Sequence, residues 1–449
     1  LPVPRHWPAL VRIVASSQAP PKLDSATSAN YQTAITANGN NFTLTGDDTS
    51  YLFQVGEQGD LVSNHFGGIV DDFVDPPPIN PSGWVDGLGN FRREFPDIGR
   101  SDFRLPAIHI SHADGNTVTA LTYQSHEIVE GKPEIPGFPA TYGNDSDVST
   151  IIVHLYDNIS DVGAALSYSI FPRYNAIARS FKITNNGTED ISIERAASFS
   201  VDLPNIELDM IELQGDWSHE MNKVKRPVQY GETSFRSSVG YASHIHNPFF
   251  ALTSPSTTET QGEAWGFSLV YSGSFEATAE RFSNGFVRVL LGLNSLHASI
   301  PVKPGNSFQS PEAVAVYSTQ GLGGMSRSFH DLYRNHLSRS KFTSETRPIL
   351  LNSWEGVYFD FNASSLEVLA QETADLGISL FVNDDGWFGQ APYARVNDTA
   401  GLGDWTPNEE RFPNGFGNYV SNVTNLNVLN STDKLKFGLW FEPGKLSHT

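Results

Sequence analysis

Asp384 and Asp385 stand side by side at the end of the apolar run Ile378–Val382, in the segment Leu380-Phe-Val-Asn-Asp-Asp-Gly-Trp387. Adjacent carboxylates repel each other unless they face water, a cation or polar hydroxyls, so the position suits several hydrogen bonds to a polyhydroxylated ligand. An Asp-Asp-Gly turn that merely ends a strand in solvent accounts for the same residues, and spacing alone leaves both readings open. Neighbouring strand residues point to opposite faces, so both carboxylates reach one ligand only if the strand has ended by Asp384. Trp354, Trp405 and Trp440 fall at or just beyond the ends of three successive apolar runs. Tryptophan offers a flat apolar face for C–H-rich sugar surfaces and an indole N–H donor, as a carbohydrate subsite requires. Each alone reads as core, whereas three flanking an acidic pair read as a site.

The elements that must position these residues repeat. Ile349-Leu-Leu351 is a short apolar strand. Ser364-Ser-Leu-Glu367 predicts a capping box, Leu366, Leu369, Ala370, Thr373 and Leu376 predict one helix face, and Gly377 predicts its stop. The second strand is Ile378–Val382, and strand, helix and strand in so short a span imply a parallel βαβ unit with a right-handed crossover. A helix through Phe416, Tyr419, Val420 and Val423, then a strand over Phe437–Phe441, repeats the unit. The predicted fold of residues 347–443 is thus the first part of a (β/α)8 barrel, with three strands of the eight that close one. The acidic pair lies at the C-terminal strand ends, where barrel enzymes carry their sites.

Upstream, from about Ala29 to Tyr317, short alternating runs such as Ile151-Ile-Val-His-Leu155 predict a large β-sandwich. Asn38-Gly39, Asp114-Gly115, Asn186-Gly187 and Asn284-Gly285 predict turns with positive φ. The Pro-rich stretches 75–84 and 131–139 predict long loops, because proline lacks the donor a central ladder needs. A helical period over Met325–Leu337 predicts a connecting helix. The predicted division is an extension 1–28, a β-domain 29–321, a linker helix and connector 322–346, the barrel part 347–443 and a tail 444–449.

The 449 residues carry a formal charge of −21, which disfavours nucleic acid and anionic membrane surfaces as partners. No apolar run reaches the roughly 18 residues of a membrane span. Leu1 as first residue predicts a processed precursor, and sequons at Asn41, Asn144, Asn158, Asn186, Asn362, Asn397, Asn422 and Asn430 predict a secreted glycoprotein. With no cysteine, disulfides, thiolate metal sites and thiol catalysis are excluded. The thirteen histidines show no metal-ligand spacing, and phosphate-loop, dinucleotide, serine-elbow and zinc-protease motifs are missing, so no cofactor and no metal is expected.

Asn352-Ser-Trp-Glu-Gly-Val-Tyr-Phe-Asp-Phe361, Leu380 to Gly389, Gly403-Asp-Trp405 and Phe437-Gly-Leu-Trp-Phe-Glu-Pro443 together resemble the α-galactosidases of glycoside hydrolase family 36. The β-rich part is similar too, in Ser101-Asp-Phe-Arg-Leu-Pro-Ala107, Gly131-Lys-Pro133 with Pro139-Ala-Thr-Tyr142, and Gly324-Met-Ser-Arg with Phe329-His-Asp-Leu-Tyr333. The resemblance covers nearly everything from Asn30 to Pro443. It implies an N-terminal β-supersandwich, a (β/α)8 barrel, a C-terminal antiparallel β-domain and often a homotetramer. It also implies retaining hydrolysis of terminal α-galactosides such as melibiose and raffinose by two carboxylates. On that resemblance Asp384 and Asp385 bind galactose hydroxyls, Trp354 and Trp440 border the pocket, and Asp72 and Trp84 match residues of β-domain loops that reach active sites.

The resemblance departs at one point. The family nucleophile follows the fourth strand in a Lys-Trp-Asp segment and the acid/base follows the sixth; neither strand is found here, so no catalytic residue is assigned. Where the family continues Phe-Glu-Pro-Glu-Met, this chain has Gly444-Lys-Leu-Ser-His-Thr449. Gly444-Lys445 can be encoded by GGTAAG, which contains a splice-donor sequence, and intron read-through is the expectation, to be tested by transcript sequencing. The chain alone is expected to be inactive; the alternative is a non-catalytic galactoside-binding or regulatory protein.

Overall fold

The computed structural model describes residues 34–75, 92–204, 207–282, 286–296 and 299–442. The chain divides into two compact units, 1–339 and 340–449. The expected extension 1–28 and tail 444–449 lie outside the described residues.

Alternation builds the first unit. In Ser149–Asp157 the side chains of Ile151, Val153 and Leu155 are buried, and in its antiparallel partner Val162–Phe171 so are Val162, Ala164, Leu166 and Tyr168. These strands belong to a ten-stranded sheet, accompanied by two four-stranded sheets and one of three strands. One apolar core joins them: Phe53 of the first four-stranded sheet stacks on Tyr168 at 4.8 Å, and Phe199 of the second meets Phe267 edge-on at 5.5 Å. This is the β-supersandwich.

Strands Ala176–Asn185 and Glu312–Ser318 have almost no exposed residues, because the helix Gly321–His336 covers their second face through Met325, Phe329 and Leu332. Gly266 admits that helix, since a Cβ there would lie 2.5 Å from Met325 Sδ. The helix expected as a connector therefore packs within the first unit, and the division falls after it, between Arg339 and Ser340. Gly39 (φ 60°) and Gly115 (φ 84°) adopt the predicted left-handed conformation. Gly187 does not; its N–H donates to Asn185 Oδ1 at 3.0 Å, so an asparagine side chain holds that turn, and Asn284-Gly285 lies outside the described residues.

A buried charge network runs through this unit. Arg288, fully buried, donates to both oxygens of Asp202 at 2.8 Å and to Asp102 Oδ2 at 3.1 Å. Arg104 Nε donates to Asp102 Oδ1 at 2.6 Å, and Arg93 Nη2 to Asp97 Oδ1 at 2.7 Å. Removing charges from water is costly unless each finds a partner of opposite sign, which is the condition these pairs meet.

The second unit is a parallel three-stranded sheet. Its first strand, Leu350–Asn352, pairs with the second, Leu380–Asn383, which pairs with the third, Lys436–Leu439. The helix Ala363–Asp375 lies between the first two strands in the chain and Phe416–Thr424 between the second and third, the opening repeats of a (β/α)8-type barrel. Leu366, Ala370, Phe381, Tyr419 and Val423 form the core between sheet and helices.

The first helix starts earlier than predicted. Asn362 Oδ1 accepts the Ser365 N–H at 3.1 Å while Ser365 Oγ accepts the Asn362 N–H at 3.0 Å, so the capping box is Asn362/Ser365 rather than Ser364/Glu367. It ends as predicted, with Gly377 at φ 78°, but that turn leaves Leu376 73% exposed instead of on the buried face.

Candidate functional site

The second strand ends at Asn383, so Asp384 and Asp385 stand beyond the alternating backbone, which removes the geometric objection to their serving one ligand. The two are held by opposite means. Half-buried Asp384 donates its N–H to Ser353 Oγ at 3.0 Å; its Oδ2 accepts from Asn352 Nδ2 and its Oδ1 from the Asp385 N–H at 2.7 Å. Asn352 also accepts the Trp354 N–H at 2.8 Å, so one amide links the acid to the tryptophan after the first strand.

Asp385 is 6% exposed and is neutralised by a cation rather than by water. Arg395, itself 4% exposed, donates Nε to Oδ1 at 3.0 Å and Nη2 to Oδ2 at 2.7 Å, a two-pronged contact that fixes the carboxylate plane. The Gly386 N–H adds a bond to Oδ1 at 2.7 Å. A second cation feels Asp385: burial pulls the Arg411 guanidinium below its ordinary value, while the charges of Asp360 and Asp385 oppose that drop. Arg411 lies 4.2 Å over the Phe361 ring.

The tryptophans divide. Trp405 packs on Phe388 at 4.6 Å and edge-on to Trp440 at 6.3 Å, both only partly buried. Trp354 stands apart from that cluster, edge-on to Tyr358 and Phe359 at 5.2 and 5.0 Å. Trp387, next to the acidic pair in sequence, is core: 2% exposed, it stacks on Phe416 at 5.5 Å and donates its indole N–H to the Trp440 carbonyl at 3.0 Å. It therefore fixes the backbone that carries Trp440.

Asp72 is exposed in the first unit, after strand Leu61–Gly68, and Trp84 lies outside the described residues. Seven of the sequon asparagines are exposed and Asn41 is half-buried in a strand. A cavity of about 620 Å³ in the first unit is walled by the Pro-rich segment 132–144 with His336 and Arg339. Among the described residues no three His, Asp or Glu side chains form a group that could hold a metal, and no described helix is long and apolar enough to cross a membrane.

Sequence reasoning missed Asn352, Ser353 and Arg395. The signal for Arg395 is the glycine spacing around it. Gly389 (φ 82°) and Gly401 (φ 75°) lie so close that a Cβ on either would come within 3.0 and 2.9 Å of the Arg395 nitrogen.

A β-supersandwich followed by parallel βα repeats, with paired acids and aromatic side chains at the C-terminal strand ends, defines the architecture of a barrel glycosidase. The chain belongs to glycosyl hydrolase family 36: the model of that family's N-terminal domain matches residues 59–303, and the melibiase model matches 307–449. It is 56% identical over 412 residues to alpha-galactosidase 2 of Hypocrea jecorina, covering 91% of this chain and 55% of that protein. Alpha-galactosidase C of Emericella nidulans is 56% identical over 414 residues, with the same coverage. Among solved structures, the family 36 α-galactosidase AgaB of Geobacillus stearothermophilus superposes with a TM-score of 0.86 at 38% identity, covering 91% of this chain and 57% of that one. A variant of AgaA from the same organism, solved in complex with raffinose, gives 0.84 at 38% identity, covering 90% and 56%. The chain thus spans about half the length of the curated relatives it matches.

Proposed function

We propose that residues 347–443 form the galactose-recognition end of an α-galactosidase, which removes terminal α-D-galactosyl groups with retention from melibiose- and raffinose-type oligosaccharides and galactomannan. Asp384 and Asp385 accept sugar hydroxyls, Trp354 and Trp440 border the sugar, and Trp405 backs Trp440; Asp72 and Trp84 are kept as substrate-binding residues on the family resemblance alone. The observation that carries this reading is the pair of carboxylates held beyond the second strand by different partners, Asn352 for one and Arg395 for the other. The raffinose bound to the AgaA variant supports the substrate class.

Within the 449 residues there is no Lys-Trp-Asp segment, and both acids are assigned to binding, so these residues alone bind galactosides without turnover. Secretion and glycosylation at the sequons belong to the same proposal. The exposed Asn144 and Asn397, whose Oδ1 atoms accept from the sequon hydroxyls of Ser146 and Thr399 at 2.7 and 2.6 Å, support it. Calorimetric titration with galactose tests the site: the wild type binds and Asp384→Ala loses binding. Equal affinity of the two proteins, or melibiose hydrolysis by protein of intact 49.3 kDa mass, overturns the proposal.

A further inference from the structure

We infer that Arg395 is a positioning residue for galactose recognition, clamping Asp385 as a single-acceptor carboxylate; this rests on the reading of Asp384 and Asp385 as sugar-binding residues. A carboxylate offers about four acceptor positions. On Asp385, Oδ1 already receives the Gly386 N–H and Arg395 Nε, and Oδ2 receives Arg395 Nη2 with a longer share of Nε at 3.1 Å. One position on Oδ2 is left, enough for one sugar hydroxyl. Without the guanidinium, an ionised carboxylate removed from water would stand next to a second one, Asp384, and would turn away or take up a proton.

Arg395 is itself held in place. Its N–H donates to the Phe388 carbonyl at 3.1 Å, Nη1 to the Ala400 carbonyl at 3.3 Å, and Nη2 reaches Asp398 at 3.5 Å. Gly389 and Gly401 both lie close against its backbone nitrogen. A lysine offers one ammonium and no planar fork, so it can restore the charge without restoring the plane of the acid.

The test is galactose titration of the full 449-residue chain as wild type, Arg395→Ala and Arg395→Lys, with thermal melting of each. The expected result is a loss of at least about tenfold in affinity for Arg395→Ala, a smaller loss for Arg395→Lys, and recovery of Arg395→Ala affinity on adding sub-denaturing guanidinium. Guanidinium discriminates the roles: it fills a vacated guanidinium position, whereas it worsens any defect that is only a loosened fold. Wild-type affinity in Arg395→Ala, or no recovery with guanidinium, overturns the inference. If Arg395→Ala does not fold, Arg395→Lys decides: reduced affinity with unchanged melting supports the clamp, and unchanged affinity refutes it. Failure of the wild type to bind galactose at all overturns the reading of the site and this inference with it, whereas binding that ignores position 395 overturns the inference alone.

Discussion

Glu94 gives the first unit a dependence on pH that can be worked out from its surroundings. It is fully buried, pairs with Arg179 Nη1 at 2.7 Å and accepts the Tyr51 hydroxyl. Burial pushes its carboxyl up to about 7 from 4.5, against the opposing pull of Arg179 and of the Tyr51 and Tyr168 hydroxyls. Below 4.5 folded and unfolded states both hold the proton; between 4.5 and about 7 only the folded state does. The unfolded state then binds fewer protons, so stability falls as pH rises through this window. At 1.36 kcal/mol for each pH unit, the interval from 4.5 to about 7 corresponds to roughly 3 kcal/mol. Glu94→Gln stays neutral at every pH and keeps an oxygen for Tyr51 and Arg179. Urea unfolding at pH 4.5 and at about pH 7.5 should therefore show the variant gaining on the wild type by roughly 3 kcal/mol between the two conditions. A wild-type-to-variant difference that is the same at both pH values would falsify the argument.

Arg288→Met takes from Asp202 the guanidinium that holds both its oxygens, while Asp102 keeps Arg104, and should lower the stability of the first unit by about 3 kcal/mol; thermal melting checks this, and adding Asp202→Asn should return part of the loss. Asn362→Ala removes the reciprocal cap of the helix Ala363–Asp375 and should cost about 1 kcal/mol, read as a lower urea midpoint for the second unit. Gly401→Ala places a Cβ 2.6 Å from the Tyr393 carbonyl at a φ of 75°. It should cost about 1–3 kcal/mol and weaken galactose binding by shifting the segment that carries Arg395; unaltered binding and melting would refute that packing.

The parallel unit was legible because each of its strands is a short apolar run, its first helix has local start and stop signals, and its second shows a helical period. Where two signals compete the sequence does not choose: Asn362/Ser365 and Ser364/Glu367 are both chemically able to cap, and the structure uses the former. Leu376 was placed on the buried face for a local reason. It adjoins Gly377, at positive φ, and such a turn breaks the periodicity used to assign faces. Arg395 was hidden because its partner lies ten residues away across an irregular segment with no period to read. The acids beyond the second strand were visible, being next to an element whose end could be predicted; the groups that hold them arrive from other elements.

The charge network of the first unit also has a consequence in time. Arg288 closes on Asp102 and Asp202, residues that precede it by 186 and 86 positions. On a ribosome adding about 5–20 residues per second, Asp102 emerges roughly 10–40 s before the arginine that helps to bury it. During that interval Asp102 has Arg104 as its partner at 2.6 Å, and the bridge from the strand Phe286–Leu293 to Asp102 and Asp202 is still to come. In a chain without cysteine, this late electrostatic closure ties distant segments together as a disulfide would, and it needs no oxidant.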